Sequence, residues 1–397
     1  MTRTFPDGFI WGAASAAHQI EGNNVNSDWW ELEHRPETTV AEPSGDACDS
    51  YHRYPEDIRI VSELGLDMYR FSLEWARIEP ERGFVSRAEL DHYRRMIDTA
   101  RDHGVTPMVT LHHFTVPRWF AHAGGWRAAD AVERFTRFTE AAAGILDDVE
   151  WVGTINEPNM VAITSGADAG DAAGSQWQST HGLPHPSRHV SETLAAAHRA
   201  ARAVLSGLGH VRSGWTVATQ AVQAAPGEPG AEEQAHAYSY PRDAWFLEQA
   251  VGDDWVGVQA YTRTIVGPEG PRPVADGVER TLTGWEYYPP ALAEGVRLAQ
   301  KYAPGVPVFV TENGLATGDD ARRRDYVRGA LEGLHDTMQE GAEVLGYLYW
   351  SLLDNYEWGS FAPTFGLVGV DHETFARDVR DSARWLGRVA QANGFVE

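Results

Sequence analysis

The chain is poor in the residues that most often announce a function. It has one cysteine, Cys48, so no internal disulfide and no thiolate metal cluster can form. Flanked by Asp46 and Asp49, Cys48 is expected to be a small buried residue. Lysine occurs once, at Lys301, and arginine carries nearly all the positive charge. With 33 Lys and Arg against 57 Asp and Glu the net charge is −24. That excludes the basic face needed by a nucleic-acid or anionic-membrane partner. No apolar run approaches the roughly 18 residues that span a bilayer. Between Met1 and Ala17, Asp7 interrupts a stretch too short for a secretion signal. A soluble cytoplasmic protein is the expectation. No Gly-rich phosphate turn follows an early strand, and neither a paired-histidine helix motif nor a carboxylate cluster at ligand spacing occurs. His112-His113 is the nearest approach to a metal pair, but neighbours on a strand face opposite ways. No metal and no cofactor are expected.

What the chain has is bulk and alternation. Across 397 residues it is 43% apolar with 15 tryptophans, ample for one large core. Short apolar strands alternate with amphipathic helices, with no linker or low-complexity break. The strands are expected at Phe9–Ala13, Met68–Ser72, Thr106–Leu111, Trp151–Ile155, Ser213–Thr219, Trp255–Tyr261, Val308–Thr311 and Val344–Trp350. Helices are expected at Glu56–Leu64, Arg87–His103, Ala128–Asp147, Ser191–Leu208, Glu232–Val251 (interrupted by Pro241), Pro290–Tyr302, Ala321–Glu340 and Asp378–Ala392. Ser86 and Glu89 have the spacing of a capping box. Gly- and Ser-rich Thr164–His185 and Pro- and Gly-rich Pro268–Gly284 read as loops. Eight strands alternating with eight helices predict an α/β fold, a (β/α)8 barrel formed as a single domain over residues 1–397. A doubly wound open sheet uses the same alternation but lacks its phosphate turn here.

Two strands end on a carboxylate: Val152-Gly153-Thr154-Ile155-Asn156-Glu157-Pro158 and Val308-Phe309-Val310-Thr311-Glu312-Asn313-Gly314. A charge at the end of a buried strand is costly unless it has partners or faces a polar cavity. For one such residue, capping a loop is as good an explanation as chemistry. Two, each beside an asparagine, suggest one shared cavity. A carboxylate pair across a cleft cleaves glycosidic bonds with retention when the groups are about 5–5.5 Å apart, and with inversion at about 6.5–9.5 Å.

Five stretches carry a wider resemblance. They are Phe9-Ile10-Trp11-Gly12-Ala13 with Gln19-Ile20-Glu21-Gly22; Tyr69 to Trp75; Thr154 to Pro158; Thr311 to Gly314; and Trp350 to Trp358. Together and in this order they resemble family 1 of the glycoside hydrolases, the retaining β-glucosidase and β-galactosidase family. The resemblance implies a small-molecule β-glycoside as substrate, Glu312 as nucleophile and Glu157 as general acid/base. Arg70 and Tyr261 are candidates to keep Glu312 ionised, whereas the acid must hold its proton near neutral pH. Gln19, His113, Asn156 and Glu357 match positions that hold the non-reducing sugar, with Asn156 on its 2-hydroxyl. Trp350 and Trp358 match its stacking and edge contacts.

The chain departs from the family pattern in places. Phe114 stands where tryptophan is usual, and Gln259-Ala260-Tyr261 replaces Asn-Tyr-Tyr. The stretch Gly359–Thr364 is about one residue short, and a few tens of residues are missing between Trp245-Phe246-Leu247 and Trp255. These changes imply a more open or differently shaped entrance. Glu357-Trp358, with no cation in Gly359–Phe365, argues against a 6-phosphosugar. A retaining exo-β-glycosidase is the reading; the alternatives are a transglycosylase using the same intermediate and a barrel that binds sugar without turnover. Oligomeric state is not legible.

Overall fold

Strands that read as unbroken apolar runs belong in a parallel sheet covered on both faces, and eight of them close into a barrel. They are β1 (Ile10–Ala14), β2 (Met68–Ser72), β3 (Thr106–His112), β4 (Trp151–Asn156), β5 (Arg212–Thr219), β6 (Val256–Ala260), β7 (Val308–Asn313) and β8 (Val344–Trp350). Each pairs in parallel with its neighbours in sequence, and β8 closes on β1. This computed structural model describes residues 2–166 and 182–396, so most of the expected Thr164–His185 loop lies outside the described residues.

The outer ring contains α1 (Ser50–Leu64), α2 (Arg87–Asp102), α3 (Ala131–Ala143), α4 (Arg188–Ser206), α5 (Ala231–Ser239), α6 (Ala291–Tyr302), α7 (Asp320–Gln339) and α8 (Asp381–Ala392). Several ends differ from expectation for identifiable reasons. Asp49 and Gly65, both left-handed, bracket α1, which begins six residues early and carries Pro55 in its second turn. After α5 the backbone widens into a π turn at Tyr240–Ala244, where Pro241 has no N–H to give, and resumes at Trp245–Glu248. The final helix starts later than expected because Arg377–Val379 pairs antiparallel with Val368–Val370. Ser86 does cap α2, accepting from the Glu89 amide at 3.3 Å, but the Glu89 carboxylate turns to the Tyr51 hydroxyl at 3.0 Å.

Alternation along each strand sorts the side chains. On β2, Tyr69 and Phe71 pack outward while Met68 lies inside the barrel with Met108, Trp151, Trp255, Phe309 and Leu348. Arg70, two residues after Met68, therefore also points inward, one layer nearer the carboxyl ends. The two acid-bearing strands break this rhythm. Pairing of β4 with β5 slips between Gly153 and Asn156, and pairing of β7 with β6 slips between Val310 and Glu312. On β4 the slip leaves Thr154 facing His198 of α4 and Ile155 in the outer core, and returns Asn156 to the interior. Such bulges re-aim side chains at barrel rims. Cys48 is fully buried, its thiol donating to the Asp354 carbonyl at 3.2 Å. A small sheet of Val222–Ala224, Thr264–Gly267 and Gly270–Pro271 flanks the mouth beyond β5 and β6.

Candidate active site

Arg70 organises the centre of the barrel mouth. It is wholly buried, so each face of its guanidinium needs a partner. Its Nε donates to Thr110 Oγ1 at 3.0 Å and Nη1 to Glu312 Oε1 at 2.7 Å, while Nη2 donates to Asn156 Oδ1. Residues from β2, β3, β4 and β7 are thereby held as one cluster. The Tyr261 hydroxyl, just past β6, donates to Glu312 Oε2 at 2.6 Å. Both oxygens of Glu312 are thus supplied with a donor.

Glu157 begins a turn at φ 43° directly after β4, a left-handed conformation uncommon for a side chain of this size. Phe114 and Trp358, at φ 69° and 50°, are two more such residues around the site. Backbone of this kind concentrates at functional positions. Among the described residues no protein donor reaches the Glu157 carboxyl. Burial raises it well above the ordinary carboxylate range, and the negative charge of Glu312 raises it further, against Arg70. Glu312 is also pushed up by burial, but Arg70 and the Tyr261 hydroxyl pull it back. The pair shares one electrostatic environment with an asymmetric set of partners, so when one proton is present Glu157 keeps it.

Asn156 is locked by donors. Its Oδ1 accepts from Arg70, from Thr216 Oγ1 at 3.0 Å and from Gln259 Nε2 at 2.8 Å. Its Nδ2 lies 3.3 Å from His113 Nε2, which must then be the accepting nitrogen. Burial holds His113 well below its usual pKa, with Arg70 adding to the effect, so the ring is neutral. The His113 ring lies near-parallel to those of Trp350 and Trp358, at centroid separations of 5.7 and 6.2 Å. His112 instead faces outward, edge-on to Trp126 at 5.3 Å. The two histidine rings therefore point into different layers, and among the described residues no group of three or more potential ligands surrounds a metal-sized position.

On the far side, Glu357 accepts from the Trp350 indole at 3.2 Å and from Gln19 Nε2 at 3.3 Å. Gln19 Nε2 also donates to Asn355 Oδ1 and the Tyr356 carbonyl, both at 3.0 Å. Among the described residues its Oε1 is buried without a partner. Burial pushes Glu357 up to about 8; the Trp350 indole opposes this and the Glu312 charge adds to it. A planar amide, an imidazole and a carboxyl beside two indole faces match what a pyranose needs: paired donors and acceptors for hydroxyls, and an apolar wall for the ring.

The ten residues singled out in the sequence therefore fall in one connected cluster, joined by hydrogen bonds, ring contacts and, for Glu157, the charges of Glu312, Arg70 and Glu357. Thr110, Thr216 and Gln259, which complete the hydrogen bonds of Arg70 and Asn156, were not among them. Threonine inside a strand carries no functional signal, and Gln259 stood out only as a departure from the family pattern. Asn355, the anchor of Gln19, lay within a quoted motif but had no assigned part.

A sequence profile of glycosyl hydrolase family 1 matches residues 1–257 and 259–395. The thermostable β-glucosidase B of Thermobispora bispora is 34% identical over 450 aligned positions, which cover 98% of this chain and 91% of that protein. Among solved structures, the β-glycosidase BGL167 superposes with a TM-score of 0.88 at 42% identity, covering 99% of this chain and 98% of the other. A family 1 β-glucosidase from Thermotoga maritima superposes with a TM-score of 0.89 at 29% identity, covering both chains completely. The alignment with the Thermobispora enzyme is longer than this chain's 397 residues, so that relative carries segments absent here. Among the described residues no helix is long and apolar enough to cross a membrane.

Proposed function

The chain belongs to glycosyl hydrolase family 1, and on that footing we propose that it is a retaining exo-β-glycosidase of β-glucosidase type, acting as one domain on a terminal non-reducing sugar. Glu312 attacks the anomeric carbon and forms a glycosyl ester while Glu157 gives its proton to the departing glycosidic oxygen. Ester formation removes the Glu312 charge, one cause of the raised Glu157 pKa. Glu157, now without its proton, takes one from water as that water opens the ester. The observation that supports this division of labour best is the one-sided donor set. Arg70 and Tyr261 both serve Glu312, and among the described residues no protein donor serves Glu157. Asn156, its oxygen already saturated, offers Nδ2 to the 2-hydroxyl. Gln19, His113 and Glu357 take the remaining hydroxyls, and Trp350 and Trp358 form the walls.

The stereochemistry of the first product tests the reading. With methyl or nitrophenyl β-glucoside, proton NMR during the first minutes should show the β-anomer of the released sugar accumulating before mutarotation. The α-anomer appearing first would refute retention.

Tyr261→Phe checks the assignment of Glu312 separately. Removing a hydroxyl that donates to Glu312 Oε2 takes away one of the influences that lower its pKa. A nucleophile works ionised, so the acid limb of kcat/KM should move to higher pH. The pH-independent value should fall by about 10–100-fold. An unmoved acid limb in a folded variant would mean that Tyr261 does not tune the group that must ionise.

A further inference from the structure

In the proposed binding mode Trp358 forms one wall of the sugar site, and it does so from an awkward place on the backbone. Its φ of 50° is left-handed, a conformation that a bulky side chain keeps only where its surroundings hold it. His18 and His113 lie near-parallel to its indole, at 5.7 and 6.2 Å between centroids. Trp29 and Phe114 meet it edge-on, each at 5.0 Å.

Of these rings, His18 is the one tethered at both ring nitrogens to groups that the sugar-holding set does not include. It precedes Gln19 on the short helix Ala17–Ile20. Its Nε2 lies 3.1 Å from Glu33 Oε1 and its Nδ1 3.0 Å from Asn24 Nδ2. An amide nitrogen donates, so Nδ1 accepts and the ring proton sits on Nε2, facing the carboxylate. Glu33, at the end of the helix Asp28–Glu33, is fixed in turn. Its Oε2 accepts from the Ser44 amide at 3.0 Å and the Ser44 hydroxyl at 2.8 Å. The His18 and Glu33 side chains are both wholly shielded from solvent, where a carboxylate is costly without such donors. The backbone joins the same two segments, the Tyr356 amide donating to the Gln19 carbonyl at 3.1 Å. With both nitrogens engaged, His18 has no polar atom left for a sugar hydroxyl. Its influence runs through the indole it stacks on.

We propose, resting on the glycosidase reading, that His18 is a positioning residue: anchored by Glu33, it fixes the plane of the Trp358 indole against which the sugar is held.

The test is a double-mutant cycle read in kcat/KM for dinitrophenyl β-glucoside, a substrate reactive enough to keep the weaker variants measurable. His18→Ala should lose about 10–100-fold, the cost of letting a contact group drift by about 1 Å, and Trp358→Ala at least as much. The double variant should be no worse than Trp358→Ala, because a residue that acts through the indole has nothing to act on once the indole is gone. Losses that multiply, or a His18→Ala variant with the wild-type kcat/KM, would overturn the proposal. The same cycle started from Glu33→Ala has the same expected outcome and serves if His18→Ala does not fold. Glu33→Gln should recover most of what Glu33→Ala loses. Its amide can donate to Nε2 once the imidazole proton moves to Nδ1 and the Asn24 amide turns to accept it with Oδ1, an atom buried without a partner among the described residues. No recovery would overturn the tether through Glu33. If the wild-type protein turns over no glucoside, the catalytic reading fails by itself. A crystal structure of His18→Ala then decides the positioning: a displaced Trp358 indole supports it, and an indole in its present place overturns it.

Discussion

Replacing Glu312 by alanine should lower kcat on any β-glucoside by about 10^4-fold or more, because it removes the atom that, in the proposed mechanism, forms the bond to the sugar. Nothing else in the cluster can take its place. Burial alone, which the variant keeps, pushes Tyr261 above its ordinary pKa, so its hydroxyl stays protonated. Asn156 Oδ1 is saturated by three donors, and Arg70 has no lone pair to offer. The variant also leaves a space beside Arg70 on the face of the sugar from which Glu312 would attack. Azide entering that space displaces the leaving group once, from the opposite side, and yields the α-glycosyl azide. Loss of turnover with α-azide formation from an activated aryl β-glucoside, followed by NMR, is the expected pair of results. Hydrolysis near the wild-type rate, or a β-azide product, would remove Glu312 from the role assigned to it.

How much of this arrangement is visible in the sequence depends on what each feature answers to. The eight barrel strands are legible because burial on both faces demands an apolar run, and a run such as Val308-Phe309-Val310 is local information. Glu157 and Glu312 are legible for the converse reason, as charges where such runs stop. Helix ends are less so. The start of the final helix was displaced by pairing between Val368–Val370 and Arg377–Val379, a contact that neither segment advertises by itself. The register slips in β4 and β7 are equally hidden, since they exist only in relation to β5 and β6. Those slips matter most for the site: strict alternation would not hold Asn156 and Glu312 inside the barrel in their observed relation to Gly153 and Phe309.

The Glu157→Ala variant should separate the two carboxylates more sharply than any comparison of rates, because its effect depends on the substrate. With an alkyl β-glucoside, whose alkoxide cannot leave unprotonated, kcat should fall by about 10^2–10^4-fold, the usual contribution of a general acid. A dinitrophenyl β-glucoside needs no such help, so its ester should still form and then wait for a water that has lost its base. KM falls with kcat in that case, and a burst of dinitrophenol precedes the slow phase. Azide, which requires no base, should occupy the space left by Glu157 and open the ester to give the β-glycosyl azide, the opposite anomer to that expected from Glu312→Ala. The pH dependence follows from the same assignment. Burial and the Glu312 charge raise Glu157, and the acid works protonated, so wild-type kcat declines as pH rises through that raised value. The variant has no proton there to lose, and its alkaline limb should disappear. Glu357 is also pushed up, to about 8, but its proposed contact is with the sugar and not with the departing oxygen. The limb is therefore followed in kcat at saturating substrate, where on the proposed binding mode the sugar already occupies Glu357. An alkaline limb that persists unchanged in the variant, together with equal losses on alkyl and dinitrophenyl substrates, would show that position 157 does not handle the proton.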